Sequence, residues 1–329
     1  MLKVYFYNSD INSTVPIVMK KTISFLKKYI FCFFLGLVSL CANAQQQPQY
    51  TQYMYNTLTI NPAYTGSLGG IDALLQYRSQ WVGIEGAPET QVFTIHSPFF
   101  KNRVGLGLSV INERIGPADE FYADANFSYH IPLGYKSTVS FGLKAGLHML
   151  NTDWSRGRFY HQQDVLLNTN IHNRAKPAIG AGIYYYTDNW YLGASLPNLV
   201  KSNYYDDIQE ATVSTRQHYY LMGGYVFSFS ENVLFKPAFL VKAVSGAPVI
   251  ADVSANFLLQ QKLTLGASYR WDDSVSALAG FQISKSLFAG YSYDYSVTDL
   301  NKYNNGSHEI ILRFILLPKT SRIKSPRFF

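Results

Sequence analysis

The chain has 329 residues, among them 26 Tyr, 22 Phe and 4 Trp, and only 15% of its residues are charged. A hydrophobic fraction of 47% excludes a disordered chain, and a mean hydropathy of −0.05 excludes a bundle of membrane helices. The formal charge of +7 does not mark a nucleic-acid surface. Lys3, Lys20, Lys21, Lys27 and Lys28 precede residue 45, and Lys319, Arg322, Lys324 and Arg327 lie in 317–329, which leaves 45–316 close to neutral. A polyphosphate partner needs a basic face, so no nucleic acid is expected.

Met19-Lys20-Lys21 opens a basic stretch, Tyr29 to Leu40 is apolar, and Ala42-Asn43-Ala44 offers a small-residue cleavage site. This order predicts a secretory signal peptide over 1–44, with translation starting at Met19 and cleavage after Ala44. The apolar run is shorter than the ~20 residues of a spanning helix. Leu40 precedes Cys41 where a lipoprotein signal requires a small residue, so lipidation is not expected. Cys32 and Cys41 both leave with the signal, so the exported chain has no disulfide, thiolate metal site or Cys nucleophile.

Residues 45–70 show no alternation, and Pro48, Pro62 and several glycines interrupt regular structure. Pro62 fixes its own φ and pushes Asn61 toward extended geometry, and the Asn61 side chain can bond its own nearby backbone. An N-terminal periplasmic segment is expected here. It either folds back as a small cap on the periplasmic mouth or forms a plain turn into the first strand.

From residue 71 the pattern changes to alternation of apolar and polar residues. Phe121, Ala123, Ala125, Phe127, Tyr129 and Ile131 alternate with Tyr122, Asp124, Asn126, Ser128 and His130. Successive strand side chains point to opposite faces, so such a segment has one apolar and one polar face. Fourteen segments of this kind are predicted: 71–81, 90–97, 103–112, 120–131, 137–149, 177–186, 189–196, 217–228, 233–243, 249–259, 262–271, 274–283, 287–296 and 307–316. The ninth is awkward, with Lys236 and Lys242 on one face and Pro237 on the other. Connections after even segments are short, whereas 82–89, 113–119, 150–176, 197–216 and 297–306 are long and all follow odd segments. Long loops on one side, an even strand count and an apolar face on every strand predict an all-β transmembrane antiparallel β-barrel over 71–316. Short periplasmic turns and longer extracellular loops would place it in the outer membrane. A secreted β-sandwich is the competing fold. Trp81, Trp190 and Trp271 fall at strand ends, with Tyr184–Tyr186, Tyr219, Tyr220, Tyr291, Tyr293 and Tyr295 nearby, as interfacial belts require. The remaining 317–329 form a basic tail, periplasmic by parity.

Chemistry-bearing motifs are sparse. No Walker loop, GxSxG or HExxH occurs, and no catalytic residue, cofactor or metal is expected. Asp124, Ser128 and His130 share a lumen row but are spread along one strand, too far apart for a relay. Asp272-Asp273 reads as a tight turn. Arg78, with Gln76 and Gln80, faces the lumen if Leu75, Tyr77 and Trp81 face lipid, and Asp72 on the same face is its expected ion-pair partner. The loops offer contact surfaces. Trp154, Arg156, Arg158, Phe159, Tyr160 and His161 lie in one, and Tyr204, Tyr205, Asp206 and Asp207 in another. Exposed aromatics mixed with Arg suit protein binding.

Gln52-Tyr53-Met54 followed by Asn61-Pro62-Ala63-Tyr64-Thr65-Gly66 resembles the opening signature of the PorP/SprF family of outer-membrane proteins. The likeness continues through Tyr77-Arg78-Ser79-Gln80-Trp81, Gly86-Ala87-Pro88-Glu89-Thr90 and Gly193-Ala194-Ser195-Leu196-Pro197-Asn198-Leu199. The resemblance implies a barrel tied to the type IX secretion and gliding machinery of Bacteroidota, a partner in the export or surface anchoring of an adhesin-like client. It implies as partners type IX components, outer-membrane lipid and a large secreted protein with a C-terminal sorting domain. Candidate partner-binding residues are Asn61, Pro62, Tyr64, Gly66, Arg78, Trp81, Trp154, Arg156, Arg158, Tyr204 and Tyr205. The rival readings are an outer-membrane channel for small solutes and, with no site to support it, a barrel enzyme acting on lipid.

Overall fold

Alternation continues into pairing. A computed structural model describes residues 48–134, 136–156, 170–200, 217–244 and 247–316. The expected signal peptide, the tail 317–329, Arg158, Phe159, Tyr160, His161, Tyr204, Tyr205, Asp206 and Asp207 lie outside the described residues. The strands are β1 (Ile71–Ser79), β2 (Glu89–Phe99), β3 (Val104–Ile115), β4 (Ala118–Pro132), β5 (Ser137–Thr152), β6 (Ile171–Thr187), β7 (Trp190–Leu196) and β8 (His218–Tyr225). They continue as β9 (Phe227–Ser230), β10 (Val233–Val244), β11 (Ile250–Leu259), β12 (Leu263–Arg270), β13 (Ser274–Gln282), β14 (Leu287–Ser296) and β15 (Ser307–Leu316).

Apart from β8 and β9, which both pair with β10, each strand pairs antiparallel with its chain neighbours, and β1 pairs β15 from Ile71↔Leu316 to Ser79↔His308. That pairing, with β10 on β11, closes the sheet. Closure leaves no open edge in hydrocarbon, the condition under which a sheet can cross lipid. β8 and β9 are two halves of one stave against β10, so the barrel has fourteen staves. The break has a local cause. Ala238 pairs with Gly224 and Phe235 with Phe227, so Lys236 and Pro237 fall in the gap. A proline gives no N–H to a ladder, and the ladder is interrupted opposite it. The segment that looks awkward in sequence is nonetheless a full strand, with Lys236 and Lys242 buried inside and Pro237 on the outer side.

Two loops are shorter than the sequence predicts. β3 and β4 stay paired to Ile115↔Ala118, so only Gly116-Pro117 remains of the expected loop 113–119, with Gly116 at φ +54°. β5 runs to Thr152 and β6 starts at Ile171, which absorbs both ends of the expected loop 150–176. One mouth therefore carries the turns 100–103, 133–136, 188–189, 231–232, 260–262 and 283–286, and is called the turn mouth. The other, the loop mouth, carries 80–88, 116–117, 153–156, 197–200, 271–273 and 297–306.

The two faces differ as expected. Leu75 is 54% exposed while its neighbour Gln76 is 4% exposed. Phe93, Leu108, Leu143, Leu147, Val253 and Ile310 cover the outside, and no described helix is long and apolar enough to cross a membrane. The aromatic belts are partly as expected. Trp190 stacks on Tyr185 at 4.9 Å near the turn mouth, Trp271 is exposed at the loop mouth, and Tyr219, Tyr291 and Tyr295 face outward. Tyr184, Tyr186 and Tyr220 are buried inside instead, because period-two alternation sends them to the lumen. A charge placed mid-strand on the outer face should cost about 2–4 kcal/mol. Leu108→Arg should lower unfolding stability in lipid vesicles by that amount, whereas Ser109→Thr, one residue away on the lumen side, should change it little.

Candidate functional site: a lumen plug and a knitted rim

Residues 48–70 do not cap a mouth. They run through the lumen, from the loop mouth at Pro48 to the turn mouth at Gly66, and then enter β1. Their path contains a single-turn helix α1 (Thr57–Ile60) and a 3-10 turn, Pro62–Tyr64. Tyr53, Leu58, Asn61, Ala63, Tyr64, Thr65 and Leu68 are all buried. This corrects the expected cap. A segment with its own polar backbone must find partners, and the inward faces of the strands supply them at every level.

Near the loop mouth, Glu309 of β15 accepts the amides of Thr51 (2.9 Å) and Gln52 (2.8 Å) on its two oxygens. Arg78 of β1 bridges Glu309 (3.1 Å) and Asp294 of β14 (2.7 Å), and Asp294 also accepts the Thr51 hydroxyl at 2.7 Å. Arg270 reaches the Tyr50 carbonyl at 3.4 Å and pairs with Asp252 at 2.8 Å and Asp273 at 3.1 Å. Asp273 of the Asp272-Asp273 turn is thus an ion-pair partner. Midway, the Asn56 amide donates to Gln76 Oε1 at 2.6 Å.

Toward the turn mouth, Asn61 organises the chain. It sits at φ −132°, and its Oδ1 accepts the Ala63 amide at 2.9 Å. Its Nδ2 donates to the carbonyls of Ile183 (3.0 Å) and Ala194 (3.4 Å) on β6 and β7. Inward glycines make this approach possible. A Cβ at Gly182 would collide with Asn61 Oδ1, and one at Gly142 with the Ala63 amide nitrogen. The Thr65 carbonyl accepts from the Ser128 hydroxyl at 2.6 Å and lies 2.9 Å from His130 Nε2. Gly66, at φ +71°, donates to His96 Nδ1 at 3.1 Å, which places that ring's proton on Nε2, 3.2 Å from Asp72. Arg313 grips Asp72 through two bonds, 2.9 and 2.8 Å, and reaches the Tyr64 hydroxyl at 3.3 Å. Tyr64 packs edge-on against His96 and Tyr184.

Two pairings differ from the sequence reading. Arg78 pairs with Asp294 and Glu309 rather than Asp72, which Arg313 takes. Along one strand Asp72 is six residues from Arg78, whereas β14 and β15 bring their acids alongside it. Ser128 and His130 do meet, at 3.0 Å, but Asp124 pairs with Lys144 at 2.9 Å and both Ser128 and His130 point at the plug carbonyl. The hydroxyl is spent on Thr65, which leaves no nucleophile–base–acid relay. Among the described residues no group of three His, Cys, Asp or Glu is arranged to hold a metal ion.

Asn61, Pro62, Tyr64, Gly66 and Arg78 are therefore interior residues that fix the plug, and none presents a surface to a partner in this state. Trp81, Trp154 and Arg156 belong to a different feature. Backbone bonds knit four connections of the loop mouth into one rim: Asn305 to Val82 (2.7 Å), Gly116 to Gly86 (2.9 Å) and Asp153 to Pro117 (2.9 Å). Trp81 takes a left-handed φ of 46°, with its amide on Ser307 Oγ at 3.1 Å. The Trp154 amide is held by Asn170 Oδ1 at 3.0 Å. Arg156 bonds Asp119 at 2.6 Å and Asp153 at 3.4 Å. The Ser155 hydroxyl and amide hold the Asp153 carboxyl below its usual range, and the bond to Asp119 raises the Arg156 guanidinium above its own. The rim also exposes Leu300 and Tyr303, which the sequence reading passed over because they sit in a non-alternating loop. Glu309, Asp294, Arg313 and His96 were passed over too, although charges at polar positions of strands are a readable sign.

A family model described as type IX secretion system membrane protein PorP/SprF matches residues 42–314. No curated protein sequence matches the chain. Among solved structures, the outer membrane protein Omp33 of Acinetobacter baumannii aligns at 9% identity and a TM-score of 0.45, over 77% of this chain and 100% of that one. The toluene transporter TbuX of Ralstonia pickettii aligns at 10% identity and 0.49, over 78% and 92%. A FadL homologue of Pseudomonas aeruginosa aligns at 11% identity and 0.39, again over 78% and 92%.

Removing one member of a buried charge cluster costs about 3–5 kcal/mol. Glu309→Ala should lower denaturant stability by roughly that amount and render Pro48–Gly66 cleavable by protease added to barrels in detergent. Wild-type protein should resist cleavage there.

Proposed function

We propose, for a chain that belongs to the PorP/SprF family of type IX secretion system membrane proteins, that it works by contact rather than by conduction. Its barrel would sit in the outer membrane with turns to the periplasm and the knitted rim outside. The signal peptide over 1–44, cleaved after Ala44, would deliver it there. There it would bind a large secreted, adhesin-like protein with a C-terminal sorting domain and support that client's export or anchoring. One observation supports this reading above the others: the lumen is filled by the chain's own amino-terminal segment, tied to Glu309, Asp294, Arg313 and the carbonyls of β6 and β7. A filled barrel offers partners its mouths, and the loop mouth carries an ordered rim with Trp81, Trp154, Arg156 and Tyr303. Aromatic and Arg side chains of this kind are the residues on which protein interfaces depend. Passage of small solutes would need a continuous water path where the plug lies, so the channel reading is the weaker of the two.

Deleting the gene should remove one large protein from the cell surface. Complementation with the double variant Trp154→Ala/Arg156→Glu should restore the barrel to normal abundance but leave client display reduced about tenfold, the equivalent of ~1.4 kcal/mol of contact. An unchanged set of surface proteins in the deletion strain, with impaired uptake of small solutes, would instead favour the channel.

A further inference from the structure

Among the described residues β9 is a strand with a neighbour on one side only. It stands last in the strand order, beside β10. β7 reaches Trp190↔Tyr225, and Val226 donates to the Asn189 carbonyl at 2.7 Å. Beyond that point Phe227–Ser230 has no strand on the β7 side. All four residues are exposed, on both faces. The stave therefore runs past the barrel wall and overhangs the turn mouth. On its outer face Phe227 and Phe229 stack on Phe235 at 6.1 and 5.8 Å, and Phe235 continues to Phe257 at 4.7 Å. Two acids flank the open edge and are exposed: Asp188 in the β6–β7 turn and Glu231 at the hairpin tip. Of the lysines at this mouth, Lys262 lies in the β11–β12 turn on the opposite flank and Lys136 in the β4–β5 turn, beyond the β6–β7 turn that holds Asp188, and Lys236 points into the lumen.

An edge of this kind is normally guarded by Lys, Pro, a covering loop or an inward charge, because its unpaired N–H and C=O groups template strand addition. The edge is short, four residues, and meets a register shift at Val233/Leu234 of β10, but Phe-Ser-Phe-Ser carries no Lys, Pro or inward charge. The aromatic ladder is explained by the membrane interface. The open edge between two exposed acids is not.

We infer that the β9 overhang is a docking edge at the turn mouth for an extended, basic segment of a partner protein, which adds as a strand beside Phe227–Ser230. Backbone bonds supply the affinity of such an addition, and alternate side chains supply its selectivity. The partner's basic residues face Asp188 and Glu231, and its apolar residues lengthen the row of Phe227 and Phe229. This edge is at the opposite mouth from the rim, so it does not depend on the client reading above.

The test uses the full-length barrel in lipid nanodiscs and a short synthetic peptide alternating Lys and Val, with an alternating Glu and Val peptide as its counterpart. Amide exchange in Phe227–Ser230 should slow more than about tenfold with the basic peptide and not with the acidic one. The double variant Asp188→Lys/Glu231→Lys should reverse that preference, and Ser228→Pro should abolish the slowing while leaving the barrel heat-modifiable on gels. No slowing, or equal slowing by both peptides, overturns the inference. Exchange that is already slow without peptide, and is released when 317–329 is removed, also overturns it by making the edge a site for this chain's own tail.

Discussion

Glu309 is fully buried, and its two carboxylate oxygens take the amides of Thr51 and Gln52 while Arg78 approaches one of them. The interior arrangement depends on this contact. A loose peptide in a barrel lumen would have to trade its hydration for partners that hold their positions. Strand residues provide them because closure fixes β14, β15 and β1 side by side. Asp294 and Arg78 complete the set, in which one guanidinium is shared by two carboxylates that also bind the plug. Breaking such a group exposes an uncompensated charge, which is why clusters of this type resist piecemeal change. The same logic repeats lower down with Asp72, Arg313 and His96 around Tyr64 and Gly66.

The outer wall follows from a different constraint. Lipid accepts no unpaired backbone group, so the wall must close and its outer face must be apolar. Pro237 shows how tightly that holds. One missing donor splits a stave at Val226, and the strand on its other side keeps register without interruption. Where the stave leaves the wall, as β9 does, both faces are exposed and the chain is free to meet something other than lipid.

Barrel closure, strand positions and the inward turn of Arg78 were legible because alternation is a local signal with a strict period of two. Loop lengths were less so. Residues 113–119 carry Gly116-Pro117 and look like a loop, yet the β3–β4 ladder continues to Ile115↔Ala118, with Arg114 ion-paired to Asp119 across it. The plug was legible only as a motif. Asn61 and Pro62 announced an Asx-type turn, and the turn is there. Its place inside the lumen depended on contacts across more than a hundred residues, such as Asn61 to Ile183 and Thr51 to Asp294. Gly142 and Gly182 lie in strands that the sequence shows only as alternating segments. They are the hollows into which the Asn61–Ala63 turn fits, and no single-strand pattern could distinguish the two. The ion-pair partner of Arg78 was misassigned for the same reason, since sheet neighbours outrank chain neighbours.

The central claim is that this barrel is filled by its own amino-terminal segment and meets its partners at its mouths. Planar-bilayer recording tests it most directly, with the full-length protein compared against a variant lacking residues 48–66. The account predicts no steady current through the full-length barrel and large, stable conductance steps through the variant. Steady conductance of the same size from both would contradict it.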